Sequence, residues 1–278
     1  MKRVTQADLP ALTAYLTEYA EFNMFTLNNI VDYGLDGDLP RSPRIWMTDG
    51  PKPSVLCMTR EGMVMPYLPN GGVEDALRVL LDQSSLTGMI GRAEDVRALQ
   101  SACGLSNAPA TMDDDEPQFM LHLDQMTMPE TRGTLIEFSD APETLMRDWM
   151  ADYQRHTLHT PEDKIAGFVE ADYAARCVKG SHKVLMIDGE PVAKTGFNAQ
   201  LSDIVQIGGV YTPPALRGRG YARQALALHL AQARDGGVTR ATLFSASDMA
   251  ARAYRALGFQ QIGDWTLLLF DGPQVAHV

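Results

Sequence analysis

Arg217-Gly218-Arg219-Gly220-Tyr221-Ala222 places two cations and two glycines immediately before a run with helical apolar spacing. A loop of that composition at a helix N-terminus turns several backbone N–H groups, and the positive end of the helix dipole, towards one point. That is anion-binding chemistry, and a phosphate or pyrophosphate is its natural occupant. Two common phosphate loops are excluded by the spacing. A dinucleotide fingerprint needs a third glycine where Arg223 stands, and a Walker loop ends in Gly-Lys-Ser/Thr, which is absent.

The elements that must position this loop are legible on both sides of it. Ile204, Val205, Ile207 and Val210 predict a buried strand, with Gly208-Gly209 suited to a bulge. Pro213 and Pro214 end that strand, because neither donates a backbone hydrogen bond. Ala222, Ala225, Leu226, His229, Leu230 and Ala233 then recur at helical spacing. Together, Val210-Tyr211-Thr212-Pro213-Pro214 followed by Arg217-x-x-Gly220-x-Ala222 resembles the acetyl-CoA loop of the GNAT N-acetyltransferases, whose pattern is Arg/Gln-x-x-Gly-x-Gly/Ala.

The resemblance implies an α/β chain (an α+β mixed sheet) with the GNAT-like acyl-CoA N-acyltransferase fold, its sheet splayed beside residues 204–211. Acetyl-CoA is then the co-substrate. The resemblance places the pantetheine arm along the backbone of Val210, Tyr211 and Thr212. It wraps the pyrophosphate in the N–H groups of Arg217, Gly218, Arg219, Gly220, Tyr221 and Ala222, with the Arg217 and Arg219 side chains adding charge. A backbone N–H near Val210 would polarise the thioester carbonyl as an amine attacks directly in a ternary complex. Tyr254, four residues before Gly258-Phe259, corresponds to the tyrosine that protonates the leaving thiolate in the family. Ser247 stands where many relatives carry an asparagine that bonds the pantetheine, and serine reaches less far. The general base stays unassigned: Asp203 is the acid nearest the central strand, His156, His159 and Glu170 lie near the expected acceptor pocket, and His229 reads as structural.

Composition narrows the partners. The chain has 278 residues, 45% hydrophobic and 21% charged, with a net charge of −11. It is long enough for two domains with separate cores. An acidic chain is not a general nucleic-acid binder, and it suits a cationic amine acceptor, small molecule or peptide. Thr5, Gln6 and Asp8 interrupt any signal-peptide core, and no apolar run approaches the ~20 residues of a membrane span. Cys57, Cys103 and Cys177 are scattered and form no metal-type cluster, as in a reducing cytoplasm. No metal and no membrane partner are expected, and a homodimer is allowed.

Read in order, the chain repeats itself. Helical stripes over 5–20 and 22–32 precede strands near 45–48, 54–59 and 63–67, a helix near 73–83, a strand near 87–90 and a helix near 93–103. Ser106–Pro117, with three consecutive aspartates, reads as a polar loop, and Met128–Gly133 as a linker. The second half repeats this succession, ending in a strand over 265–270. The expected domains are therefore a degenerate GNAT-like copy at 1–130 and a catalytic copy at 131–278. The first copy lacks arginines in Tyr67–Gly72, and would complete the acceptor pocket or stabilise its partner. Two rival readings are a non-catalytic acyl-CoA sensor and a site for another phosphate ligand such as a nucleotide.

Overall fold

Alternating apolar residues and glycine or proline breaks resolve into one succession of elements, used twice. In the computed structural model, which describes residues 1–277, the first pass is β1 (Lys2–Arg3), α1 (Leu9–Glu18), α2 (Ala20–Tyr33), β2 (Pro43–Met47), β3 (Val55–Thr59), β4 (Met63–Tyr67), α3 (Val73–Leu81), β5 (Leu86–Arg92), α4 (Ala93–Ala102) and β6 (Ala110–His122). The second pass is β7 (Thr134–Glu137), α5 (Glu143–His156), α6 (Glu162–Lys179), β8 (His182–Ile187), β9 (Glu190–Gln200), β10 (Ile204–Tyr211), α7 (Tyr221–Asp235), β11 (Arg240–Phe244), α8 (Asp248–Arg255) and β12 (Gln260–Gln274). Strand and helix follow in the same order both times, as the sequence comparison of the halves predicts.

The compact units divide the chain differently from the expected boundary after residue 130. One is Met1–Gln118 together with Gly263–Val278; the other is Phe119–Ile262. In the first unit the strand order is β1-β2-β3-β4-β5-β12-β6. Neighbours are antiparallel from β1 to β4, parallel at β4–β5, and antiparallel again where β12 joins β5, with Trp265 opposite Arg92. The C-terminal strand belongs here because its apolar face does. Leu268 and Phe270 bury against Leu56, Leu80, Met89 and Leu99. Such burial is the dominant favourable term, about 25 cal/mol per Å² of apolar surface.

The acidic stretch expected as a loop within 106–117 is instead part of β6. Its aspartates are tolerated in a strand because Arg97 on α4 answers the alternate ones. Arg97 Nε donates to Asp115 Oδ1 at 3.0 Å, Nη1 pairs with Asp113, and Thr266 Oγ1 donates to Asp115 at 2.6 Å. Period-two alternation puts Asp113 and Asp115 on one face, where a single guanidinium reaches both. Glu116, on the other face, is buried. Desolvation, with a smaller contribution from Asp114, pushes its pKa up to about 7. A carboxyl held protonated by the fold contributes stability below its unfolded pKa and loses it as pH rises through the folded one. Glu116→Gln is therefore expected to raise Tm at pH 8 by ~3 °C or more and to leave it unchanged at pH 4.5, read by thermal denaturation at the two pH values.

The second unit has the order β6-β11-β10-β9-β8-β7. Here β7, β8, β9 and β10 run antiparallel, and β10–β11 run parallel. One core, with Val205, Ile207, Leu226, Leu230, Leu243 and Leu257, lies under α7 and α8. Another, with Trp149, Ile165, Val184 and Tyr211, lies under α5 and α6. No helix among the described residues is long and apolar enough to cross a membrane.

Candidate active site

The parallel pair β10 and β11 holds together for only three residues. Ile204, Val205 and Gln206 pair with Arg240, Ala241 and Thr242, and no pair follows, although β10 continues to Tyr211 and β11 to Phe244. The two strands part at their carboxyl ends, from which the chain enters α7 and α8. A crevice at the carboxyl ends of adjacent parallel strands is where open α/β sheets bind ligands. The expected bulge is present on the other edge of β10. Gly208 opposes Gly196 and Tyr211 opposes Lys194, so three steps on β10 span two on β9. Gly209 takes the extra step at φ 63°, a left-handed conformation that glycine adopts without a Cβ penalty.

The glycine loop follows. Pro214–Leu216 forms a single 3-10 turn, and Arg217 Nε donates to the Thr212 carbonyl at 3.0 Å, tying loop to strand end. Gly220, at φ 77°, caps the 15-residue helix α7 with no side-chain acceptor. The first helical hydrogen bond comes from Gln224 N, to Gly220 O. The N–H groups from Gly218 to Arg223 have no protein acceptor among the described residues. A Cβ on Gly218 would meet nothing within 4 Å, so the loop backbone is open to a ligand. Arg217 and Arg219 are exposed, and Tyr221 and Ala222 are half-buried in the first turn. The sequence reading missed Arg223. Its Nη2 lies 3.9 Å from the place a Gly220 Cβ would take, so the guanidinium folds back over the loop. Both Arg223 Nε and Thr212 Oγ1 are buried without a partner among the described residues. Its signal was available: Arg223 stands three residues after Gly220, on the same turn of helix.

Val210 on β10 and Tyr254 on α8 both border the core formed by Val205, Ile207, Leu243 and Phe259. The Tyr254 ring meets Phe259 edge-on at 6.0 Å between centroids. Ser247 has a structural duty beyond the expected one: its Oγ accepts from Ala250 N at 3.3 Å and caps α8. Ser247→Ala is therefore expected to lower stability by about 1 kcal/mol in urea denaturation, and Ser247→Asp to restore it.

The sequence comparisons fit this geometry. The model of the acetyltransferase (GNAT) family matches residues 120–259. The chain belongs to the GNAT acetyltransferase family. That family carries out acyl-CoA-dependent acetyl transfer, and the matched residues contain the loop, α7 and α8. No curated protein matches the chain in sequence. Among solved structures, a GNAT acetyltransferase from Colwellia psychrerythraea is 13% identical at TM-score 0.53, covering 97% of this chain and 99% of its own. A GCN5-related N-acetyltransferase from Kribbella flavida is 20% identical at TM-score 0.53, covering 84% of this chain and 91% of its own. A tandem GNAT protein from the clavulanic acid biosynthesis pathway is 10% identical at TM-score 0.51, covering 97% of each. At these identities the likeness is one of fold, and it extends over both halves of the chain.

Asp203 and Glu170 are paired, and His156 and His159 are exposed. Asp203 sits before β10, at the far end from the loop. It pairs with Arg240 at 2.7 Å, and its carbonyl accepts from Thr239 N and Arg240 N. Glu170 is on the outer face of α6, paired with Arg147 at 2.8 Å. His229 is buried and stacks on Phe197 at 3.9 Å; burial drives its pKa down to about 3, so it stays neutral.

In the first unit, the segment between β4 and α3 also ends in left-handed glycines, Gly71 and Gly72. A cavity of about 510 Å³ there is lined by Thr48, Lys52, Ser54 and Asn70, with Asp49 and Asp75 also on its walls. One lysine against two carboxylates does not suit a pyrophosphate.

Proposed function

We propose that the second unit binds acetyl-CoA through Arg217–Ala222 and transfers its acetyl group to a primary amine, without a covalent enzyme intermediate. The observation that carries this reading is the parting of β10 and β11 above a glycine loop whose N–H groups are uncommitted. The loop and the guanidinium groups of Arg217, Arg219 and Arg223 hold the pyrophosphate. The free edge of β10 at Val210–Thr212 offers the pantetheine a strand-like partner, and the Thr212 hydroxyl a further bond. The Val210 N–H polarises the carbonyl that the amine attacks. A C–N bond forms and the C–S bond breaks; the nitrogen loses one proton to water, Tyr254 delivers one to the departing sulfur, and the tyrosine takes one back from solvent. The acceptor is a small-molecule or peptide amine, met in the cytoplasm where acetyl-CoA and free thiols coexist.

The test is release of free CoA thiol from acetyl-CoA in the presence of an amine panel, with the acetylated product identified by mass. Acetyl-CoA binding with no turnover on any amine would replace the transferase with an acyl-CoA sensor. Binding of ATP or NAD in preference to CoA would make the loop another ligand's site.

A further inference from the structure

Resting on the transferase reading, we propose that the acceptor amine carries a carboxylate, received at the β10 bulge by Arg176 of α6, His182 of β8 and Lys194 of β9. These three basic residues come from separate elements and converge where Gly209 has no side chain. A Cβ built there would lie 3.3 Å from Arg176 Nη1, 3.3 Å from His182 Nε2 and 3.6 Å from Lys194 Nζ. The three nitrogens thus crowd the place a side chain at 209 would take, and glycine alone lets them converge there.

The ring is buried and short of acceptors. Lys194 is fully buried and His182 only 3% exposed. Arg176 Nε, Arg176 Nη1 and His182 Nε2 are buried with no hydrogen-bond partner among the described residues. Buried polar groups left unpaired cost about 1–3 kcal/mol each, more when charged, so the two Arg176 donors are kept in a native fold only where something satisfies them. The acceptors already present reach only part of the set. Asp172 pairs with Arg176 Nη2 at 2.6 Å, the Gly209 carbonyl takes one bond from Lys194 Nζ at 3.0 Å, and Tyr153 offers Lys194 its ring face at 5.2 Å. Ser181 Oγ meets His182 Nδ1 at 3.0 Å, leaving Nε2 as the nitrogen turned to the cluster. The other nearby carboxylate, Asp152, is committed to the Tyr211 hydroxyl at 2.9 Å and to Arg155 at 3.2 Å.

Charge points the same way. Burial, then repulsion from Arg176, holds both Lys194 and His182 well below their ordinary pKa values. An anion among them reverses that repulsion, so binding charges the cluster and the cluster binds the anion. The bulge at which the cluster converges lies one residue before Val210, whose N–H is assigned to the thioester carbonyl. An anion at Gly209 and an amine at that carbonyl are therefore close, which selects an acceptor with the two groups a short spacer apart, as in an α-amino acid. The exposed Asn198 side chain lies over Gly208, on the solvent side of the bulge.

Calorimetric titration with N-acetylglycine and with N-acetylglycinamide tests this, since the two differ in the carboxylate alone. The wild type is expected to bind the acid at least ~10-fold more tightly than the amide. Arg176→Gln is expected to level the two while leaving acetyl-CoA affinity unchanged. Lys194→Met should narrow the gap in the same way, and serves if the arginine variant fails to fold. Equal affinity for acid and amide in the wild type, binding of neither, or a preference that survives both substitutions would overturn the proposal. Titration with acetyl-CoA is a separate measurement: its failure removes the transferase reading, whereas an acid-blind protein that binds acetyl-CoA removes only the carboxylate site.

Discussion

Gly220→Asp abolishes useful acetyl-CoA binding while the protein stays folded: the expected rise in Kd is at least ~100-fold, or about 2.7 kcal/mol. Gly220 caps α7 in the left-handed region at φ 77°, a conformation that aspartate adopts more readily than most side chains. The new carboxylate then sits at the mouth of α7, where it accepts from the N–H groups assigned to the pyrophosphate. Its negative charge also meets the diphosphate and draws off Arg223, whose guanidinium already lies over Gly220. Helix capping offsets the backbone strain, so Tm should hold within a few degrees. Titration calorimetry with acetyl-CoA, alongside thermal denaturation, separates the two effects. Undiminished binding by a folded Gly220→Asp variant would move the thioester away from this loop.

Tyr254→Phe should reduce kcat by ~100- to 1,000-fold, the range expected when one proton-transfer partner is removed, with little change in KM for acetyl-CoA. The substitution deletes one oxygen and keeps the ring, so its edge-on packing with Phe259 and its place beside Val205 and Leu243 remain. A tyrosine that only packed would leave kcat and stability both close to the wild-type values, because phenylalanine keeps the ring contacts. Steady-state kinetics with varied acetyl-CoA, plus a single-turnover measurement of C–S cleavage, distinguishes them. If cleavage in the variant keeps the wild-type rate, the sulfur takes its proton from another group.

Local chemistry carries far in this protein. The β-branched run, the glycine pair, the two prolines and the basic loop are contiguous, and each acts through its own backbone. Gly209 bulges, Pro213 ends the ladder, and Gly220 opens α7 where residue type requires it. The repeated order of strands and helices was legible for the same reason, since hydrophobic period is a local property. The acidic run of β6 was not, because its tolerance for a strand depends on Arg97, which reaches Asp113 and Asp115 from another element. Nor was the placement of the C-terminal strand, since period alone says that Leu268 and Phe270 are buried without saying in which core.

The sequence by itself determined that a basic glycine loop opens α7, because that loop is built from consecutive residues and the helix they begin. Tertiary structure alone decided that β10 and β11 part after three pairs, that Ser247 spends its hydroxyl on Ala250, and that Arg176, His182 and Lys194 face one glycine. The last set comes from two strands and a helix, 18 residues apart at its widest, with no spacing rule to join them. Only strand register across β8, β9 and β10, and the extra step at Gly209, brings their nitrogens to one point.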